Sequence, residues 1–105
     1  MKVHADLCLI PLGVGVSVGT YIAECQRVLD EAGLEYLLHA YGTNIEGDRV
    51  MAAVKRCHER VHAMGAPRIS TSLKLGTRTD RAQSLQDKID SVQRKLNGNN
   101  KQETV

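Results

Sequence analysis

Apolar and polar residues alternate from Val3 to Leu12. Val3, Ala5, Leu7 and Leu9 fall on one face and His4, Asp6, Cys8 and Ile10 on the other, the two-residue period of a half-buried strand that Pro11 and Gly13 end. The period then lengthens. Tyr21, Ile22, Cys25, Val28, Leu29 and Ala32 recur at helical spacing, predicting a helix from an N-cap at Ser17 to about Ala32, with Gly33 as its stop. Tyr36 to Gly42 reads as a second strand and Thr43 to Glu46 as a short third, with Gly42 permitting a tight turn or bulge between them. Asp48 is placed to cap a second helix with Val50, Met51, Val54, Cys57, Val61 and Met64 as its buried stripe, terminated by Gly65 and Pro67. Pro67 to Leu75 alternates again, with Ile69, Thr71, Leu73 and Leu75 opposite Arg68, Ser70, Ser72 and Lys74. A third helix follows, with Asp80 and Gln83 at capping-box spacing, an apolar seam of Leu85, Ile89, Val92 and Leu96, and Gly98 to close it.

The order βαββαβ plus one helix predicts an α+β, ferredoxin-like sandwich with an additional C-terminal helix, formed as a single domain over residues 1–98. Residues 99–105 read as a polar, disordered tail. Two helices cover one sheet face. The other would carry His4, Asp6, Cys8, His39, Tyr41, Ser70, Ser72 and Lys74, a mixture that suits solvent, a pocket or a subunit contact. The seam of the third helix also needs a surface to bury it, which favours self-association.

Composition narrows the function classes. The chain has 105 residues, the size of one domain, and at 42% hydrophobic and 25% charged it is ordinary globular material. Its aromatics are Tyr21, Tyr36 and Tyr41 alone, so the core must be aliphatic. A net charge of +2 without a basic stripe or interleaved aromatics argues against a nucleic-acid partner. The longest apolar stretch, Leu7 to Val16, is short and broken by Pro11, Gly13 and Gly15, which argues against a membrane span. Cys8, Cys25 and Cys57 are too widely spaced for a zinc knuckle or a disulfide framework. With no leader-like segment after Met1-Lys2, a reducing, cytoplasmic setting is expected.

Several motifs carry candidate chemistry. His58-Glu59-Arg60-Val61-His62 matches the HExxH zinc pattern, but no His follows His62 to complete a site, so a plain amphipathic helix and no metal are expected. Gly13-Val14-Gly15-Val16 lacks the spacing of a phosphate loop and reads as a turn. Asp6 is unusual within a strand; a half-buried carboxylate needs a partner, and His4 and His39 are candidates. Cys25 and Cys57 lie on apolar stripes and read as small core residues, while Cys8 faces the polar side. Two polar clusters sit at element ends, residues 42–48 and 76–80. Both suit a small polar ligand, and both suit turns and caps.

At those clusters the chain resembles the thiamine-binding, YkoF-like family, and in its third helix (Gln86-Asp87-Lys88-Ile89) the fungal members in particular. The matching pieces are Ile10-Pro11-Leu12-Gly13, then Leu38-His39 leading to Gly42-Thr43-Asn44-Ile45-Glu46-Gly47, and the run from Arg68 to Asp80. It departs from many bacterial members at Ala40-Tyr41 and at residues 76–80. The resemblance implies a ferredoxin-like fold, homodimers assembling into tetramers, and binding of thiamine or its hydroxymethylpyrimidine part; no cofactor and no turnover are expected. It makes Thr43 and Glu46 the first candidates for ligand contact, with Asp6, His39, Tyr41, Gly47 and Arg78 around them. Two other readings stay open: an enzyme of unknown reaction using Asp6, His39 and Glu46, and an interaction protein whose polar sheet face is a subunit interface.

Overall fold

In the computed structural model, which describes residues 1–98, the elements are β1 (Val3–Leu12), α1 (Gly19–Glu31), β2 (Glu35–His39), β3 (Gly42–Gly47), α2 (Val50–Ala63), β4 (Arg68–Thr77) and α3 (Leu85–Leu96). The strands form one antiparallel sheet in the order β2-β3-β1-β4. This is the ferredoxin-like α+β arrangement that the changes of period predict, with α3 as the addition. The tail expected over 99–105 lies outside the described residues.

Strand alternation sorts the sheet into two faces. Ala5, Leu7 and Leu9 of β1 and Ile45 of β3 turn toward the helices, where they meet Cys25, Val28 and Leu29 of α1 and Val50, Ala53, Val54, Cys57 and Val61 of α2. Ile69 and Leu73 of β4 and Tyr36 of β2 pack at its margin. The core is aliphatic apart from its two thiols, and burying a side chain as fully as Leu29 contributes about 1.5–3 kcal/mol. The even residues of β1 face the other way, together with Asn44, Glu46, Leu37 and Lys74.

The helix starts differ from the sequence reading. Ser17 does not cap α1: the N-cap is Val18, with no side-chain hydrogen bond. Asp48 does not cap α2, whose N-cap is Arg49, again without a side-chain bond; Asp48 instead lies 3.5 Å from the N-terminal ammonium. The capping box of α3 is Ser84 with Asp87, not Asp80 with Gln83. In each case a capping residue type stands within four positions of the true start, and packing of the apolar stripe decides which turn comes first. Helix ends follow the sequence more closely. At Gly33 (φ 71°), the N–H groups of Gly33 and Leu34 reach back to the carbonyls of Asp30 and Leu29, a Schellman closure that needs a left-handed residue; α2 ends in the same way at Gly65. The second and third strands also shift: the turn is Ala40-Tyr41, and Gly42 begins β3 rather than ending β2.

Candidate functional site

Unequal strand lengths open a cavity. β4 pairs with β1 along its whole length, but β3 pairs only from Val3↔Gly47 to Leu7↔Thr43. Among the described residues β1 therefore has no paired strand on its β3 side from Cys8 onward. The first half of α1 and the β2–β3 turn wall this gap, leaving a cavity of about 710 Å³ whose lining includes Leu9, Ile22, Gln26, Leu38, Tyr41 and Thr43. That size is within the range of small-molecule sites, roughly 300–1,000 Å³.

Gly42 holds the gap's lower edge. A Cβ there would lie 2.6 Å from the Leu7 carbonyl oxygen and 3.2 Å from Cε1 of His39, so only glycine admits both neighbours. The same contact shows that the Leu7 carbonyl faces β3. Backbone direction alternates along a strand, so the N–H and C=O of Leu9 turn the same way, toward the space that β3 no longer fills.

The cavity is mostly apolar with one polar end. Gln26 Nε2 on α1 donates to Thr43 Oγ1 on β3 at 2.9 Å. Thr43 is buried, and Gln26 Oε1 is shielded from solvent with no hydrogen bond from the described residues. A hydroxyl that accepts one bond still has its proton to donate. The pair thus offers one acceptor and one donor side by side.

At the rim, the His39 ring lies over Gly42 and its Nε2–H donates to Asp6 Oδ1 at 2.6 Å. The Tyr41 backbone N–H donates to His39 Nδ1 at 3.3 Å, which assigns the proton to Nε2. Both ring nitrogens are engaged, and neither is left for Cys8. Tyr41 is 87% exposed at the turn and lines the cavity mouth.

The structure thus gathers Thr43, His39 and Tyr41 around the cavity, with Asp6 behind His39. Glu46, Gly47 and Arg78 lie elsewhere. Thr43 and Glu46 are three residues apart on one strand and point to opposite faces. Glu46 is buried beneath the start of α3, where Oε2 is 2.7 Å from Lys2 Nζ and 3.8 Å from His4 Nε2 and Oε1 accepts the Leu85 N–H at 3.3 Å. Burial works to raise its pKa, but the Lys2 hydrogen bond, the Leu85 N–H and the Lys2 charge outweigh it and hold the carboxyl below its ordinary range. Gly47 ends β3 against Leu34. Arg78 is clamped between Asp80 (2.8 Å) and Gln83 (2.7 Å). Gln26 is the residue that the sequence reading missed. Its signal was an amide four residues after Ile22 and three before Leu29, on the edge of an apolar helical stripe.

The HExxH histidines have separate occupations. His58 Nε2 bonds Thr71 Oγ1 at 2.7 Å, and His62 Nδ1–H donates to the Ala66 carbonyl at 2.8 Å. Among the described residues no three His, Cys, Asp or Glu side chains converge on a metal position, and no helix is long and apolar enough to cross a membrane.

The carboxylates give an acid-stability prediction. Glu24 is held down by hydrogen bonds from Arg27 and Arg60, Asp87 by the Ser84 N–H and hydroxyl, and Asp80 is lowered to about 2 by the Arg78 guanidinium. A depressed folded-state pKa adds stability above the unfolded value, about 4, that is lost as pH falls through the folded one. The melting temperature should therefore decline from pH ~4 toward pH ~2. A flat or rising profile in that window would contradict these pairings.

The fold and its added helix define a ferredoxin-like α+β protein, and comparison with known proteins narrows the class further. Residues 5–93 match the family model described as "Thiamine-binding protein". A UPF0045 protein of Synechocystis is 64% identical over 95 residues, covering 89% of this chain and 78% of that one. The fungal UPF0045 protein ECM15 of Eremothecium gossypii is 42% identical over 100 residues, covering 90% and 95%. The crystal structure of protein MJ1052 from Methanocaldococcus jannaschii superposes with a TM-score of 0.81 at 32% identity, covering 88% of this chain and 96% of that one. A candidate thiamine biosynthesis/salvage protein of Thermotoga maritima shares the fold at 17% identity, with a TM-score of 0.75 and coverage of 88% and 99%. The chain belongs to the thiamine-binding, UPF0045 family.

Proposed function

We propose that this protein binds thiamine, or its hydroxymethylpyrimidine part, in the cavity between α1 and the β2–β3 turn, without turning it over. The observation that carries this reading is the Gln26–Thr43 pair at the polar end of an apolar cavity. An aminopyrimidine presents an amino donor beside a ring-nitrogen acceptor. Gln26 Oε1 accepts from the first and the Thr43 hydroxyl donates to the second. The apolar walls bury the ring faces, and the Leu9 backbone edge adds in-plane donor and acceptor groups. Among the described residues no carboxylate lines this space, so the neutral pyrimidine occupies the interior. The thiazolium cation of intact thiamine lies at the mouth, over the Tyr41 ring and near Asp6. Calorimetry with thiamine and with hydroxymethylpyrimidine tests the assignment. Binding of both, with no product formed, is the expected result; absence of binding at millimolar concentration contradicts it.

The oligomer is proposed on a separate observation. Among the described residues nothing covers the apolar seam of α3: Ile89 is 39%, Val92 44% and Leu96 75% exposed. Self-association of two copies through this seam and the polar sheet face, then of two such dimers, would cover it. Light scattering at micromolar concentration should show a tetramer, and a monomer of 11.5 kDa would rule it out.

A further inference from the structure

Two of the three cysteines meet where α1 packs on α2. Cys25 is 2% exposed and Cys57 0%, and both are free thiols. Cys57 Sγ–H donates to the Cys25 carbonyl at 3.8 Å. The influence of each thiol on the other is the largest one on their acidity. It pushes Cys25 up, together with burial, and draws Cys57 down, with help from the charges of Arg56 and Arg60. Cys25 also lines the 710 Å³ cavity, which gives a small oxidant a route to a seam that is otherwise closed.

We propose that Cys25 and Cys57 are a redox pair, oxidised by hydrogen peroxide to a disulfide that staples α1 to α2. In the first step one thiolate attacks a peroxide oxygen. The O–O bond breaks, a sulfenic acid forms, and the departing hydroxide takes up the thiol proton as water. In the second step the neighbouring sulfur displaces the sulfenic oxygen. The S–S bond forms, the S–O bond breaks, and the oxygen leaves with the second thiol's proton as another water. The two sulfurs supply two electrons, and the peroxide is reduced to two waters. With Cys57 Sγ already against the Cys25 backbone, side-chain rotation brings the sulfurs to the bond length of about 2.05 Å. A resolving thiol on the facing helix intercepts the sulfenic acid before a second peroxide can carry it further. The staple closes the chain between α1 and α2 and restricts the unfolded state, so the oxidised protein melts higher. It also sits one residue from Gln26, on the wall of the cavity.

The test uses the full chain carrying Cys8→Ser, which removes the remaining thiol, treated while folded with a small excess of hydrogen peroxide. Intact mass should fall by two hydrogens. A non-reducing peptide map should join the peptides containing Cys25 and Cys57, and reductant should reverse both changes and the rise in melting temperature. A mass increased by oxygen at either cysteine would overturn the proposal. So would two unmodified thiols in folded protein under conditions that oxidise them once it is unfolded in urea. The further replacement Cys57→Ala should leave Cys25 able to gain oxygen but unable to lose two hydrogens within one chain; intrachain loss of two hydrogens in that variant would also overturn it.

Discussion

Replacing Gln26 with Ala and Thr43 with Val together should weaken thiamine binding about 100-fold while leaving the protein folded. Each change removes one hydrogen-bonding partner from an enclosed site, and a hydrogen bond there contributes about 0.5–1.5 kcal/mol net. The ligand's amino group and ring nitrogen would then stay desolvated without partners, which adds to the loss. Two such losses sum to about 2.7 kcal/mol, or two decades in Kd. Each single variant should lose about tenfold. Gln26→Glu keeps the acceptor and its shape but places a charge beside Thr43, and it discriminates further: it should retain the amino contact better than Gln26→Ala. The comparison variant is Glu46→Gln. Glu46 lies on the opposite sheet face and holds Lys2 and the Leu85 N–H, so this change should lower stability and leave affinity unaltered. Calorimetry on the five variants reads all of this, and a loss of affinity confined to Glu46→Gln would relocate the site.

Ile45→Ala should cost about 3 kcal/mol of folding stability, within the 2–5 kcal/mol range for large-to-small core changes. Ile45 is fully buried and pairs with Ala5 on β1 and Tyr36 on β2, so its side chain stands at the centre of the sheet where the helices press on it. Its cross-strand partner Ala5 is small and cannot expand to fill the space. For a domain of this size the melting temperature should fall by roughly 15 °C. Met51→Ala serves as the contrast. The sequence pattern assigns Met51 to the buried stripe of α2, but it is 58% exposed, and its loss should change stability by about 0.5 kcal/mol or less. Equal effects of the two substitutions would contradict the core described above.

Residue periodicity made the layers of the fold legible, because apolar alternation in β1 and helical spacing in α1 and α2 are read directly as burial. Helix starts were less legible. Ser17, Asp48 and Asp80 all belong to capping types, yet none caps, since side-chain preference of about 1 kcal/mol yields to how the whole stripe packs. The candidate site was half visible. Thr43, His39 and Tyr41 do surround one cavity, but grouping Thr43 with Glu46 overlooked the strand period, which turns residues three apart to opposite faces. Gln26 was hidden for a different reason. A glutamine beside an apolar stripe is indistinguishable from a surface residue until the length of β3 is known, and it is the early end of β3 that opens the space in front of it. The position of α3 was likewise out of reach: its seam is plain in the sequence, but the loop that sets it over Glu46 is not.

The most direct test of the cavity assignment is a titration of isotope-labelled protein with thiamine, followed by amide chemical shifts. The Gln26 side-chain amide and the backbone amides of Leu9, Tyr41 and Thr43 should move together and saturate at one Kd, with Glu46, Lys88 and Arg78 unmoved. Saturable shifts centred on Glu46 and the start of α3, with Gln26 and Leu9 unmoved, would contradict the account.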